Sequence, residues 1–243
     1  MLHFADRLLE AIRRKQTPIC VGLDPVYERL PVALRGDASA TADVEAKVEA
    51  LEKFSRGVIE AVQEHVAVIK PQSACFERYG WRGVWALESV IHVARQAGLM
   101  VILDGKRGDI GISSEHYAAG LLGENVNTGS DALTVNAYLG ADGLQPFIKN
   151  AAAHGKGLFA LVRTSNPGGD ALQAMKLQDG RSVAEAVGQI VSQAGESVCG
   201  QSGYSLLGAV VGATKASEAA QLRRLMPRQW FSCARLWRPR WYG

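Results

Sequence analysis

Short apolar stretches alternate with longer amphipathic stretches along most of the chain. The short stretches are rich in β-branched and other apolar residues, as in strands that are buried on both faces. They predict seven strands, at 18–23, 66–70, 100–104, 132–136, 158–162, 207–211 and 229–233. Apolar residues with helical spacing predict the helices between them, at 4–15, 43–64, 81–98, 113–122, 143–153, 183–197 and 216–225.

Strands that alternate with helices in this way predict parallel βα units. A dinucleotide-binding fold is disfavoured, because no Gly-x-Gly-x-x-Gly motif follows the first predicted strand. We therefore predict an α/β protein of the (β/α)8 TIM-barrel type. Because the last strand signal begins near residue 229, we expect the barrel to be incomplete at strands 7 and 8.

Charged and hydroxyl residues follow the carboxyl ends of the predicted strands. Asp24 follows the first strand, Lys70 ends the second, Asp104 and Lys106 lie at the end of the third, and Ser165 follows the fifth. In a β/α barrel these strand ends meet at one face, where the active sites of such proteins lie. The pattern therefore predicts a polar site at this face.

The densest of these polar groups is the run from Asp104 to Asp109. Asp104 and Lys106 are two residues apart, so a strand would direct both side chains to the same side, and Asp109 follows on a loop. A buried structural ion-pair network and a catalytic group are equally compatible with this spacing. In the same way, residues 163–169 fit a loop that binds a polar ligand or an ordinary Pro-Gly turn.

Composition and charge narrow the class of protein. The 243 residues suit one barrel domain, and 47% apolar with 21% charged residues is ordinary for a globular protein. The net charge of +3 is too small to indicate nucleic-acid binding, and the four widely spaced cysteines match no zinc or disulfide pattern. The first 15 residues lack the apolar core of a signal peptide, and no stretch is long enough for a membrane span. We expect a cytoplasmic enzyme.

Four motifs together resemble the orotidine 5′-phosphate decarboxylase family, in particular its longer bacterial form, type 2. The resemblance covers about residues 1–231, which we expect to form a single barrel domain. The motifs are Val-Gly-Leu-Asp-Pro at 21–25, Ile-Lys-Pro-Gln-Ser-Ala at 69–74, Asp-x-Lys-x-x-Asp at 104–109 and Thr-Ser-Asn-Pro-Gly at 164–168.

The resemblance implies a reaction that needs neither cofactor nor metal, the conversion of orotidine 5′-phosphate to UMP in pyrimidine biosynthesis. Lys106 would stabilise the carbanion-like centre at C6 of the pyrimidine and deliver the proton to it. Asp104 and Asp109 would flank the substrate carboxylate and keep Lys106 charged. Lys70 would complete an alternating series of acids and ammonium groups.

The resemblance also implies three contacts with the substrate and a shared site. Asp24 and Lys70 would contact the ribose, and Ser165 would hydrogen-bond the pyrimidine. Asp109 would reach into the active site of a neighbouring subunit, and Ser113 stands where the family usually has a threonine that does the same. A homodimer with shared active sites is therefore expected.

The resemblance ends after Phe231. The family has a phosphate loop there, Pro-Gly-x-Gly-Ala-Gln-Gly-Gly, followed by an eighth strand and helix, and residues 232–243 match neither. One possible set of codons for these residues, read one nucleotide forward, encodes Arg-Ala-Pro-Gly-Tyr-Gly-Ala-Gln-Gly-Gly-Thr. We therefore expect residues 232–243 to be an aberrant tail produced by a frameshift. We expect low stability and little activity, since an open barrel leaves strand edges unpaired and phosphate binding supplies remote binding energy.

Two alternative functions remain at this point. A Mg²⁺-dependent sugar-phosphate decarboxylase or aldolase of the same superfamily also uses Asp-x-Lys-x-x-Asp, with Asp24 and Asp104 linked to the metal. The Lys-Pro-Gln-Ser and Thr-Ser-Asn-Pro-Gly motifs disfavour it. The second alternative is an inactive chain that only dimerises with an intact copy.

Overall fold

The computed structural model describes residues 2–35, 43–123 and 129–233. Its strands are β1 (Cys20–Leu23), β2 (Val68–Pro71), β3 (Met100–Arg107), β4 (Ala132–Asn136), β5 (Gly157–Arg163), β6 (Leu207–Val211) and β7 (Phe231–Ser232). Its helices are α1 (Phe4–Lys15), α2 (Val32–Arg35), α3 (Val44–Val62), α4 (Ser73–Glu77), α5 (Gly80–Gln96), α6 (Gly111–Leu122), α7 (Ala141–Ala153), α8 (Asp170–Gln173), α9 (Val183–Gly195) and α10 (Ala216–Leu225).

The seven strands form one parallel sheet in sequence order, from β1 to β7. The predicted α/β barrel fold, incomplete at its last strands, is confirmed. Within the described residues β1 pairs only with β2 and β7 only with β6, so these two strands are the edges of the sheet. The predicted aberrant tail falls largely on residues 234–243, which lie outside the described residues, and it stays a prediction together with the domain boundary.

Apolar side chains from the central strands and the surrounding helices form one continuous core. Val101, Leu133, Leu158 and Leu207 are fully buried in it. At the β1 edge, by contrast, Cys20 and Gly22 are exposed. Solvent therefore reaches β1, which is an edge strand within the described residues.

Helix α1 packs across the amino-terminal ends of the strands. Phe4 is buried against Phe159 in an edge-to-face contact, with ring centroids 6.2 Å apart. Arg7 donates to the carboxylate of Asp131, just before β4, at 2.8 Å. The carboxylate of Asp6 accepts hydrogen bonds from the backbone ahead of β6. This end of the sheet is thereby covered, and the opposite end, where the polar residues lie, is left free for a site.

The structure departs from the sequence prediction in its short elements. A 3₁₀ turn at Tyr27–Arg29 and the helices α2, α4 and α8 occupy segments where no helix is predicted. Four or five residues are too few to show helical periodicity, so the apolar pattern carries no signal for these elements. No helix among the described residues has the length and apolar character needed to cross a membrane.

Candidate active site

Asp104, Lys70 and Lys106 meet at the carboxyl ends of β2 and β3. The Asp104 carboxylate is almost fully buried and accepts from both ammonium groups: Lys70 binds Oδ2, and Lys106 Nζ lies 2.6 Å from Oδ1. A buried carboxylate is costly unless it is paired with a cation. Here both lysines pair with Asp104, so the three side chains form one ion-paired cluster. The structure therefore brings together three of the residues expected at the site.

Two polar side chains that the sequence analysis did not single out as site residues complete the shell around Asp104. The Thr134 hydroxyl donates to Oδ1 at 2.9 Å, and Gln72 Nε2 lies 3.4 Å from Oδ2. Burial disfavours the charged form of Asp104, but the charge of Lys70 and hydrogen bonds from both lysines outweigh it and lower the pKa of the carboxyl. Asp104 is therefore an anion under physiological conditions.

Strand β3 is irregular at this point. Leu103 pairs with Leu133 and Arg107 with Val135, so three residues of β3 stand opposite the single residue Thr134 of β4. Lys106 has φ +46°, in the left-handed region. A regular strand therefore does not explain how Asp104 and Lys106 meet; a β-bulge does.

Asp24 lies at the same mouth, just beyond β1. Partial removal of the carboxyl from water raises its pKa; the nearby charge of Lys70 opposes this shift and that of Asp104 reinforces it. Its side chain is nevertheless open to solvent. Asp24 is thus a carboxylate close to the charged cluster and accessible to a ligand.

Asp109 and Ser113 do not join the cluster of their own chain. Asp109 Oδ1 accepts from the backbone N–H of Ile110 at 2.8 Å, and its carbonyl oxygen accepts from the Ser114 hydroxyl at 2.8 Å. Ser113 is exposed on α6. These contacts hold the Asp109 loop at the start of α6, and among the described residues Asp109 forms no ion pair with Lys70 or Lys106.

Exposed apolar side chains surround the Asp109 loop. Ile112 is 70% exposed, and Ile110 precedes it at the start of α6. The Asp109 carbonyl and Leu139 both border Gly143, where an added Cβ would lie 3.1 and 3.4 Å from them. The exposed apolar residues here are Ile110, Ile112, Tyr117, Tyr138 and Leu139. We call these five residues the Asp109-side apolar patch; surfaces of this kind are typical of protein interfaces.

The loop that carries Ser165 is anchored by Arg163, which is fully buried at the end of β5. Its guanidinium pairs with Asp170 on α8 and, at 2.5 Å, with Glu218 on α10. Gln173 connects Arg163 Nη1, at 3.0 Å, to the Thr164 backbone N–H, at 2.9 Å. The hydrogen bonds that Arg163 donates to Glu218, against the cost of burial, raise the pKa of its guanidinium further, so it stays charged.

Ser165 itself is half-buried, and its backbone passes close to β6. Gly212 follows β6, and an added Cβ there would lie 3.2 Å from the Ser165 backbone. The Gly212 N–H also donates to the Arg163 carbonyl at 2.7 Å. A glycine at this position therefore lets the Ser165 loop lie against the end of β6.

The side chains that could ligate a metal ion are dispersed in the part of the chain that the structure describes. No group of three or more His, Cys, Asp and Glu side chains there could hold a metal ion. Asp104, the most buried acid at the mouth, has both carboxylate oxygens occupied by lysines.

The chain resembles known proteins over most of its length. A model of the orotidine 5′-phosphate decarboxylase / HUMPS family matches residues 17–230. The chain is 42% identical to an orotidine 5′-phosphate decarboxylase of Rhodopirellula baltica, over 93% of this chain and 76% of that protein. It is 43% identical to one of Streptomyces coelicolor, over 88% of this chain and 72% of that protein. The structure of Leishmania donovani OMP decarboxylase superposes with a TM-score of 0.74 at 33% identity, over 95% of this chain and 78% of that one.

The fold and the site define a β/α-barrel enzyme with its charged cluster at the carboxyl ends of the strands. The chain belongs to the orotidine 5′-phosphate decarboxylase / HUMPS family.

We predict that Arg163→Met destabilises the protein. Losing the buried guanidinium leaves Glu218 and the Thr164 loop without their partner, and we expect the free energy of unfolding to fall by about 2 kcal/mol. Urea unfolding measures this change. Arg181→Met is the matched control, because Arg181 also pairs with an aspartate, Asp179, but both side chains are exposed; it should leave the transition unchanged. Equal effects of the two variants would contradict the anchoring role of Arg163.

Proposed function

We propose that this chain catalyses the decarboxylation of orotidine 5′-phosphate to UMP and CO2. The observation that carries the proposal is the buried Asp104 carboxylate held between two ammonium groups, in a chain that belongs to this family. Two relatives and one solved structure that the chain resembles over most of its length carry the name of this decarboxylase.

The reaction uses the charge of Lys106. The bond between C6 and the carboxylate carbon breaks, CO2 leaves, and the electron pair remains on C6. The Lys106 ammonium, already placed beside Asp104, stabilises this developing charge and then donates a proton to C6. The neutral amine regains a proton from water, so the cycle closes without an added electron carrier.

Other residues of the mouth bind the parts of the substrate that do not react. Asp24 and Lys70 would contact the ribose, and Ser165, on the loop that Arg163 anchors, would hydrogen-bond the pyrimidine. Binding energy from these remote contacts is available to orient the pyrimidine over Lys106. A location in the cytoplasm is likewise part of this proposal.

Neither alternative function has comparable support. The relatives reported above carry no aldolase name. The motifs around Lys70 and Ser165 resemble those of the decarboxylase. The idea of an inactive dimerisation partner finds no supporting observation in the fold or the site.

We further propose that two copies of the chain share their active sites. The Asp109 carboxylate accepts from the Ile110 N–H, forms no ion pair with Lys106 among the described residues, and is bordered by the Asp109-side apolar patch. If two such patches bury each other across a two-fold axis, each Asp109 is brought toward the cluster of the other copy. Ser113, exposed on the same helix, would cross the interface with it.

We predict that Lys106→Met abolishes decarboxylation. Release of labelled CO2 from orotidine 5′-phosphate is measured at high enzyme concentration, because the sequence predicts a slow rate. The loss of the ammonium should lower kcat by about 10³-fold or more. Lys176→Met is the control, since Lys176 is an exposed lysine on the surface, paired with Glu185, and it should keep the parent rate. Activity that survives EDTA is expected; no turnover in the parent chain, or turnover that requires Mg²⁺, would overturn the proposal.

We also predict that two inactive variants restore each other. Lys106→Met and Asp109→Ala are each inactive alone, but a hybrid dimer contains one site with both residues intact. A refolded equimolar mixture should therefore recover about a quarter of the parent activity. Mixing Lys106→Met with Asp104→Ala is the control and should recover nothing, because both residues serve the same chain's cluster. No recovery in the first mixture would contradict a shared site.

A further inference from the structure

Thr134 is a hydroxyl residue in an otherwise apolar stretch of strand. Its neighbours Ala132, Leu133 and Val135 are fully buried, and Thr134 itself is 1% exposed. A buried hydroxyl costs free energy unless it is hydrogen-bonded. A valine would fill about the same space without that cost. The hydroxyl of Thr134 is therefore expected to form hydrogen bonds that matter to the structure.

The Thr134 hydroxyl forms two hydrogen bonds, and the chemistry of the two partners decides in which one it donates and in which one it accepts. The backbone N–H of Lys106 can only donate and lies 2.9 Å from Oγ1. The Asp104 carboxylate is ionised, can only accept, and also lies 2.9 Å from Oγ1. The hydroxyl therefore accepts from Lys106 and donates to Asp104, and it connects the backbone of one with the side chain of the other.

Thr134 is also the residue that faces the bulge in β3. Asp104, Gly105 and Lys106 together stand opposite it, between the pairs Leu103–Leu133 and Arg107–Val135. The regular ladder is interrupted over these residues, and the Thr134 side chain supplies a partner for the Lys106 N–H inside the gap. A side chain thus replaces a main-chain contact at this point of the sheet.

Lys106 depends on such a contact. Its φ of +46° lies in a region that residues with a side chain rarely adopt. A backbone in this conformation persists only when its surroundings hold it. On the other side of the bulge, Arg107 donates to the Gly105 carbonyl at 2.6 Å.

We propose that Thr134 is a positioning residue that pins the β3 bulge and so sets the Lys106 backbone against the Asp104 carboxylate. The effect of this positioning on turnover rests on the proposed decarboxylation. The hydrogen bond between the Lys106 N–H and Thr134 does not depend on that function and can be tested by itself.

Amide hydrogen exchange by NMR tests the bond itself. In Thr134→Val the Lys106 N–H loses its acceptor, and its exchange should accelerate by about tenfold relative to the parent chain. Thr134→Ser keeps the hydroxyl and should keep the slow exchange. The Leu103 amide, which precedes the bulge, should be unchanged in both variants and reports on global destabilisation.

Steady-state kinetics test the consequence for the site. Thr134→Val should lower kcat by about tenfold and leave KM within about twofold, because the Thr134 side chain is fully buried. Thr134→Ser should recover most of the lost kcat. Thr17→Val is the matched control, since the Thr17 hydroxyl also accepts from a backbone N–H, that of Ile19 at 3.2 Å, but at the opposite end of β1; its kcat should be that of the parent.

The outcomes separate this proposal from the proposed function. Unchanged Lys106 exchange in Thr134→Val, or a Thr134→Val variant with the parent kcat, overturns the positioning role. A parent chain without turnover overturns the proposed function, and the exchange rates then still decide whether Thr134 pins the bulge.

Discussion

The almost fully buried Asp104 carboxylate, shared by two lysines, is the interaction on which the site depends. Lys70 and Lys106 come from adjacent strands, and their like charges would repel each other without an anion between them. The carboxylate in turn would be costly to bury without both cations. The three groups therefore stabilise one another, and the chemistry we propose for Lys106 follows from the same arrangement.

The parallel sheet supplies the conditions for this arrangement. Parallel strands direct all their carboxyl ends to one face, so residues that are far apart in sequence, such as Asp24 and Ser165, reach one mouth. Helix α1 covers the opposite end through Phe4 and Arg7. Strand β1 is an edge of the incomplete barrel. The charged cluster lies on β2 and β3, which both have neighbouring strands on each side.

Much of this fold could be predicted, because its long elements obey simple periodicities. Helix α1 and strands β4 and β6 begin and end where their apolar patterns predict. Strand β3 extends to Arg107, beyond its predicted end, since a bulge has no periodic signature. The cluster of Lys70, Asp104 and Lys106 was predictable from residue type and topology, but Asp109 could not be placed, because its expected partner belongs to another chain. Thr134 and Arg163 were missed as site residues, although a lone hydroxyl or guanidinium in a buried strand is a usable signal.

The most direct test of this account is a titration of the Asp104 carboxyl carbon by ¹³C NMR in the folded chain. We predict that the two lysines hold the pKa of Asp104 below its ordinary value, so that the signal stays that of an ionised carboxylate until strongly acidic pH. Replacement of Lys106 by methionine should raise that pKa. An Asp104 signal that titrates at or above the ordinary value for an aspartate, and that does not respond to Lys106→Met, would contradict the central role of this ion-paired cluster.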